Sequence, residues 1–405
     1  MSAARSRTVD RVLRGQLCTG CGLCASVSDG AISMDNATGY NRPVQTAPVS
    51  AEAERRIAGA CPGVAVNPWP AAPDMNPSWG PWRRVGVGWS TDPAIRHGAS
   101  SGGAVTGLAV HALKTGLVDR VVHVVADPAN PTGNLVTVSN TAAQVVEGAG
   151  SRYAASSPLA SIDAVLSDGG AVAFIGKPCD VSALRRLARL DARVDQHVPL
   201  MLAFFCAGVP NQSGVRKILK AMDIAPEEVE RFRYRGNGWP GNAAAVTRDG
   251  RTAEMSYAES WGGYLAKEVQ FRCKICPDAV GGSADIACAD AWYGDDGGYP
   301  AFEERDGRSL IVSRTARGEA ILDQALSAGA LEIEPLVVDE IDKMQPSQAL
   351  RKSLVRARTA ALAATLQPTL DTRGVMTGEA AARIGLRIQL RNFLGTLRRI
   401  VAGRR

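Results

Sequence analysis

No run of apolar residues in this chain is long enough to cross a bilayer. The longest nearly uncharged stretch, 198–209, falls well short of the roughly 20 residues a spanning helix needs. Residues 1–15 are polar and arginine-bearing, without the apolar segment of a secretory signal. Export and membrane insertion are therefore not expected, and a cytoplasmic setting is. Histidine is scarce: the four residues at 97, 111, 123 and 197 do not group with one another or with carboxylates at metal-ligand spacing. Each is expected to pack or to face solvent rather than to catalyse. No repeat of solenoid length is present.

What is there describes a globular protein. With 405 residues, 45% of them hydrophobic and 21% charged, the chain can bury two or three domain cores. The formal net charge of +6 is unevenly spread: residues 351–405 hold 12 Lys and Arg against 2 Asp and Glu, and the rest hold 34 against 38. A basic tail on an acidic body suggests a docking element rather than binding to nucleic acid along the whole chain. The nine cysteines are an odd number in a mid-sized chain with no secretory signal, which disfavours disulfides. Their clustering in short-spaced groups points to thiolates that hold metal.

Residues 16–65 read as a small cysteine module that ends in a helix over about 50–59. A linker follows at 66–84, whose five prolines and three tryptophans exclude regular helix and suggest a path over the surface. From 85 to about 290, apolar runs at 121–125, 171–175 and 198–205 alternate with helical stretches near 104–114, 158–167, 181–190 and 212–222. That alternation predicts α/β layers. A strand near 310–313 and a helix near 317–327 close the body, and from 346 to 405 the chain turns helical and basic. There Ile384, Ile388, Phe393, Leu394, Leu397, Ile400 and Val401 recur at helical spacing opposite Arg383, Arg387, Arg391 and Arg398. Such a helix can dock on the chain's own core. It can equally serve, over 378–405, as a peripheral contact for an anionic membrane or an acidic partner.

Cys18, Cys21 and Cys24 stand at a pitch that lets one tight loop wrap three corners of a 4Fe-4S cubane, and Gly20 and Gly22 permit the positive φ such a loop needs. Cys61, followed by Pro62, is assigned as the fourth ligand. A zinc site is the alternative, but zinc modules usually use two separated pairs, and three plus one favours the cubane. Cys273 and Cys276 form a lone C-x-x-C that needs two more ligands. Cys179 and Cys206 each follow an apolar strand, where α/β proteins place ligands, so the four can converge on one site. Against this stands the ordinary buried core cysteine, which is the expected role of Cys288.

Arg96, Ser100, Ser101, Gly102 and Gly103 precede a helix from about residue 104. Small residues and free N–H groups at the positive end of a helix dipole make an anion site, unless the loop is a simple N-cap. Ser151, Arg152 and Tyr153 add a hydroxyl, a guanidinium and a ring, and Lys177 adds a charge beside Cys179. Trp239, in the turn 237–241, is expected to fill space. Asp278, Asp285 and Asp290 can cap turns or bind a substrate.

These segments, in this order and with Ile175-Gly-Lys-Pro-Cys179-Asp180 and Asp290-Ala-Trp292 among them, resemble the coenzyme F420 hydrogenase/dehydrogenase beta-subunit family. Its relatives include 7-hydroxymethyl chlorophyll a reductase and an 8-vinyl reductase. The resemblance covers about residues 16–340. It implies a ferredoxin-like module at 16–65, an N-terminal-type domain at 85–170 and a C-terminal-type domain with the second cluster at 171–345. The resemblance also implies FAD, bound by the loop residues above and Lys177, and an oxidoreductase that moves electrons between a hydride carrier and a one-electron partner. The hydride carrier is coenzyme F420 or an organic substrate, and the partner is ferredoxin or another redox subunit. Ala289 stands where relatives commonly show glycine, and the tail from 346 lies outside the shared core. No catalytic acid is legible. Two alternatives remain: a non-catalytic electron-relay subunit, and a zinc-stabilised protein that binds nucleic acid through its tail.

Overall fold

The three apolar runs expected as strands pair with one another at the centre of an eight-stranded mixed sheet in the computed structural model, which describes residues 5–294, 301 and 303–403. Arg120–Asp127, Val172–Gly176, Leu200–Phe204 and Ile286–Asp290 run parallel. Antiparallel strands flank them: Asn130–Ser139 on one side, and Ser309–Ser313, Arg84–Ser90 and Leu331–Pro335 on the other, each antiparallel to its neighbour. The central strands are apolar without alternation because both faces are covered. On one face lie the helices Ala104–Lys114 and Ala316–Ser327, on the other Pro178–Leu187 and Ile162–Ser167. The expected α/β layering is therefore present, in a mixed sheet. A separate three-stranded sheet, Val229–Arg233, Ala243–Thr247 and Thr252–Met255, packs against the helix Gln212–Ala221 over its own core.

The helix expected at 50–59 spans Ala51–Ala60; the Ser50 hydroxyl accepts from the Ala53 amide and caps its N-terminus. It rests on the body through Arg56, whose guanidinium pairs with Asp163 and Asp191, each at 2.9 Å.

The expectation that 66–84 runs over the surface is corrected. Trp69 and Trp79 are 7% and 1% exposed, and the segment forms a hairpin of Asp74–Asn76 and Gly80–Trp82. The C-terminal region supplies the cover. Trp79 donates from its indole to Asp342 at 3.0 Å, and the Lys352 ammonium lies 4.0 Å from the Trp69 ring centre. Proline excluded a helix, but three large aromatic rings are too costly to leave in water.

The terminal helix Leu386–Val401 buries Thr396 and Ile400 and packs Phe393 and Leu397 against the core. Leu386, Ile388, Leu390, Leu394 and Val401 stay exposed. Arg383 is paired with Asp342 at 2.7 Å rather than facing water alone. Among the described residues, no helix is long and apolar enough to cross a membrane.

Candidate functional site

Three thiols of the first group are carried by one loop. Gly22 has φ 86°, and a Cβ there would meet the Ala160 amide nitrogen at 2.8 Å, so only glycine lets the loop lie this close to residues 157–160. The Ser157 hydroxyl donates to the Gly20 carbonyl at 2.9 Å, and the Leu159 amide donates to the Cys21 carbonyl at 2.9 Å. The helix Ala51–Ala60 ends at Cys61 and delivers it to the same place. Cys18, Cys21, Cys24 and Cys61 together line a cavity of about 30 Å³ closed by Leu23, Met34, Pro43 and Ile57. Burial pushes all four thiols up, Cys61 to about 11, and for Cys21, Cys24 and Cys61 the neighbouring sulfurs push further.

The second group draws on three segments. Val172–Gly176 and Leu200–Phe204 are parallel neighbours with Gly176 opposite Ala203, which sets Cys179 and Cys206 side by side just beyond the strand ends. The short helix Phe271–Lys274 brings Cys273, and Cys276 follows it. The Cys273 sulfur accepts from the Val209 amide at 3.4 Å, and the Cys276 thiol donates to the Asp278 carbonyl at 3.3 Å. Burial, then Cys273 and Cys276, push the Cys206 thiol up to about 12; Cys179 is raised by burial and Asp180, and further by Cys206 and Cys276. All nine cysteines are free. Cys288 lies apart from both groups in the strand Ile286–Asp290, and burial pushes its thiol up to about 12.

Sequence reasoning missed the buried Arg272. It donates to the Pro62 carbonyl at 3.1 Å, and its charge favours the thiolate forms of Cys18 and Cys61 in one group and Cys276 in the other. Its position beside Cys273 was the one signal available.

Beside the second group opens a cavity of about 290 Å³ whose wall includes Ser100, Ser101, Gly103, Ser151, Arg152, Tyr153, Lys177 and Cys206. Seven of the nine residues expected at a cofactor are thus gathered there. Arg96 and Gly102 lie outside the wall: Arg96 donates to the Gly307 carbonyl at 2.8 Å over the Trp89 ring, and Gly102 is packed against Gly88 and Ser309. Ser100 and Ser151 share a hydrogen bond of 2.6 Å. The Arg152 guanidinium donates to the carbonyls of Phe232 and Pro131, each at 2.9 Å, and so ties the strand Val229–Arg233 to Asn130–Ser139. Lys177 pairs with Asp180 at 2.7 Å and donates to the Ser156 hydroxyl at 3.1 Å. Burial opposes its charge, yet Asp180 and the nearby sulfurs keep the ammonium protonated.

The same wall holds Arg235 and Tyr257, which were not foreseen. Arg235, 1% exposed, makes a two-pronged contact with Asp290 at 2.7 and 2.8 Å and lies against the Tyr257 and Trp292 rings. Trp239 fills space behind them, 4.8 Å from Trp292.

His123 also lines the cavity, 2.7 Å from the Ser139 hydroxyl, and burial lowers its affinity for a proton, as it does for His111. The folded state therefore resists a protonation that the unfolded chain accepts below about pH 6.5. The sign follows: these histidines favour folding above that pH, and the advantage is lost as pH falls. The urea midpoint is expected to drop between pH 7 and 5, and less steeply in His123→Gln. Parallel slopes in the two proteins would contradict this.

Comparison with known proteins decides the lineage. Residues 85–163 match the family model described as coenzyme F420 hydrogenase/dehydrogenase, beta subunit N-term, and residues 169–339 match the corresponding C-terminal model. The chain belongs to the coenzyme F420 hydrogenase/dehydrogenase beta-subunit family. It is 26% identical over 283 residues to the coenzyme F420 hydrogenase subunit beta of Methanothermobacter thermautotrophicus, which covers 68% of this chain and 90% of the relative. Over 241 residues it is 27% identical to the chloroplastic 7-hydroxymethyl chlorophyll a reductase of Oryza sativa subsp. japonica, 59% of this chain and 49% of that one. Among solved structures, a chain of the F420-reducing NiFe hydrogenase complex from Methanosarcina barkeri shares the fold, with a TM-score of 0.55 and 23% identity over 74% of this chain and 99% of that chain. The family's members compared here are oxidoreductase subunits and a reductase, which gives this chain a redox role. The matched models end at 339, so the helices from 346 onward lie beyond them.

Proposed function

We propose that this protein is an iron-sulfur flavoprotein oxidoreductase that moves electrons between a hydride carrier, either coenzyme F420 or an organic substrate, and a one-electron partner. Cys18, Cys21, Cys24 and Cys61 would hold one 4Fe-4S cluster, in a ferredoxin-like module over 16–65. Cys179, Cys206, Cys273 and Cys276 would hold the second, within the domain 171–345, and FAD would occupy the cavity lined by Ser100, Ser101 and Ser151 together with Arg235, Tyr257 and Trp292. The observation that carries this reading is the gathering of four thiols from three distant segments, with one of them, Cys206, in the wall of that cavity. When bound, the flavin supplies exchange between a two-electron hydride and single electrons, and the clusters supply one-electron relay.

The donor chemistry fits. Two groups of four soft thiols suit iron-sulfur clusters. No three His, Cys, Asp or Glu side chains among the described residues are grouped to hold a single metal ion. The chain's own part is positional and electrostatic. Arg272 opposes the build-up of negative charge between the two groups, and Lys177, held by Asp180, keeps a positive charge at the cavity. Tyr257 and Trp292 give the cavity part of an aromatic lining.

Anaerobic purification followed by an absorption spectrum and iron, sulfide, zinc and flavin analysis tests the reading. The expected result is a brown protein with about eight irons and one flavin per chain. Zinc without acid-labile sulfide would overturn it. Bound clusters without flavin, and with no reduction of small acceptors, would favour an electron-relay subunit instead.

A further inference from the structure

We infer that the cationic patch formed by Lys274, Arg351, Arg358 and Arg399, over the second thiol group, is the docking site of an acidic one-electron carrier protein. The inference rests on the proposed second cluster and names the surface through which it exchanges electrons. Lys274 lies between Cys273 and Cys276 and is exposed. The other three cations come from beyond residue 339, from the helices Pro346–Ser353, Val355–Ala364 and Leu386–Val401.

These helices are fastened to the thiol-bearing loops themselves. Arg351 donates to the Cys206 carbonyl at 3.1 Å, and Arg358 donates to the Lys274 carbonyl at 2.5 Å and to the Asn392 side chain at 3.3 Å. Arg399 touches only Thr396, at 3.2 Å, and is otherwise exposed. None of the four makes an ion pair with a described residue, although Arg358 is close enough to Arg351 and Arg399 for each to weaken its hold on a proton. Glu268, whose charge is felt at Lys274, is taken by Lys217 and Ser213. Gathering like charges costs stability in the isolated chain. A partner with a carboxylate face would offset that cost and be steered to the surface around Lys274, next to the partly exposed Cys273. No bond changes at such a contact: the carrier loses one electron and the cluster gains it, or the reverse.

The exposed leucines of the terminal helix argue for a protein rather than a lipid surface. At about 100° per residue, Leu386, Leu390 and Leu394 stand some 140–180° around the helix from Arg399. Ile388 alone of the helix's exposed apolar residues stands near Arg399, so the patch faces away from the row of exposed leucines.

The test uses the full-length protein with its cofactors, iron content measured in every variant, and a reduced acidic plant-type ferredoxin as probe in anaerobic stopped flow. The rate constant is expected to fall at least about tenfold as salt rises from about 50 to about 300 mM. At low salt it should fall about tenfold in Arg399→Glu and several-fold in Lys274→Gln, and stay unchanged in the control Arg387→Glu. Wild-type rates in both patch variants would overturn the proposal. So would patch-dependent flotation with phosphatidylglycerol vesicles combined with an unaltered ferredoxin rate, which would assign the surface to membrane. A wild-type protein without iron would instead sink the cluster reading on which the patch depends.

Discussion

Replacing Cys61 by serine is expected to cut the iron and acid-labile sulfide of anaerobically purified protein from about eight atoms of each per chain to about four. Cys61 is the single thiol of the first group that does not come from the loop 18–24, and the helix Ala51–Ala60 holds it rigidly in place. With serine there, three soft donors and a poorly ligating hydroxyl remain at the site. The second group draws all its thiols from other segments, so its electron paramagnetic resonance signal should persist. Cys288→Ser serves as the control: that residue packs in the apolar core and borders the large cavity but belongs to neither thiol group, so the iron count should stay at about eight. Full iron in Cys61→Ser, or loss of iron in Cys288→Ser, would mean that the ligands have been wrongly assigned.

How readily each thiol group could be found differed for a physical reason. The first was legible because its spacing is local: three cysteines and two glycines within seven residues describe a loop without any knowledge of the fold. The second was only half legible. Cys273 and Cys276 announce a pair, but their meeting with Cys179 and Cys206 depends on Val172–Gly176 and Leu200–Phe204 being adjacent parallel strands. That adjacency is a tertiary fact, and the sequence offered only the position of each cysteine after an apolar run.

The elements that escaped prediction did so for similar reasons. Arg84–Ser90 contains Gly86 and Gly88, which lower any strand signal, yet a Cβ at Gly88 would meet the Glu332 carbonyl oxygen at 2.3 Å. The glycine is there because another backbone approaches it closely, a need no local pattern displays. The three-stranded sheet was hidden by short, alanine-rich and charged strands such as Ala243–Thr247 and Thr252–Met255. The basic tail was read as a helix with two possible faces. In the structure its inner face completes the body over Trp69 and Trp79, and Arg351 and Arg358 reach the second thiol group.

Arg235, in the cavity wall, yields the other large effect. Arg235→Met is expected to destabilise the protein by about 3–5 kcal/mol, because it removes the partner of a largely buried carboxylate while leaving the carboxylate in place. The guanidinium makes two short bonds to Asp290 and lies 4.5 and 4.8 Å from the Tyr257 and Trp292 ring centres, so methionine restores some packing but no charge. If the loss arises from the stranded charge, Arg235→Met combined with Asp290→Asn should recover a large part of it, and urea denaturation of the two variants against wild type measures the difference. Equal destabilisation of the single and double variants would place the cost in packing instead. The pair also closes one side of the cavity, so the single variant is expected to release flavin more readily than wild type even at temperatures where it remains folded. Flavin retention on desalting reads this independently of stability. Retention equal to wild type would mean that the Arg235 wall does not touch the bound ring.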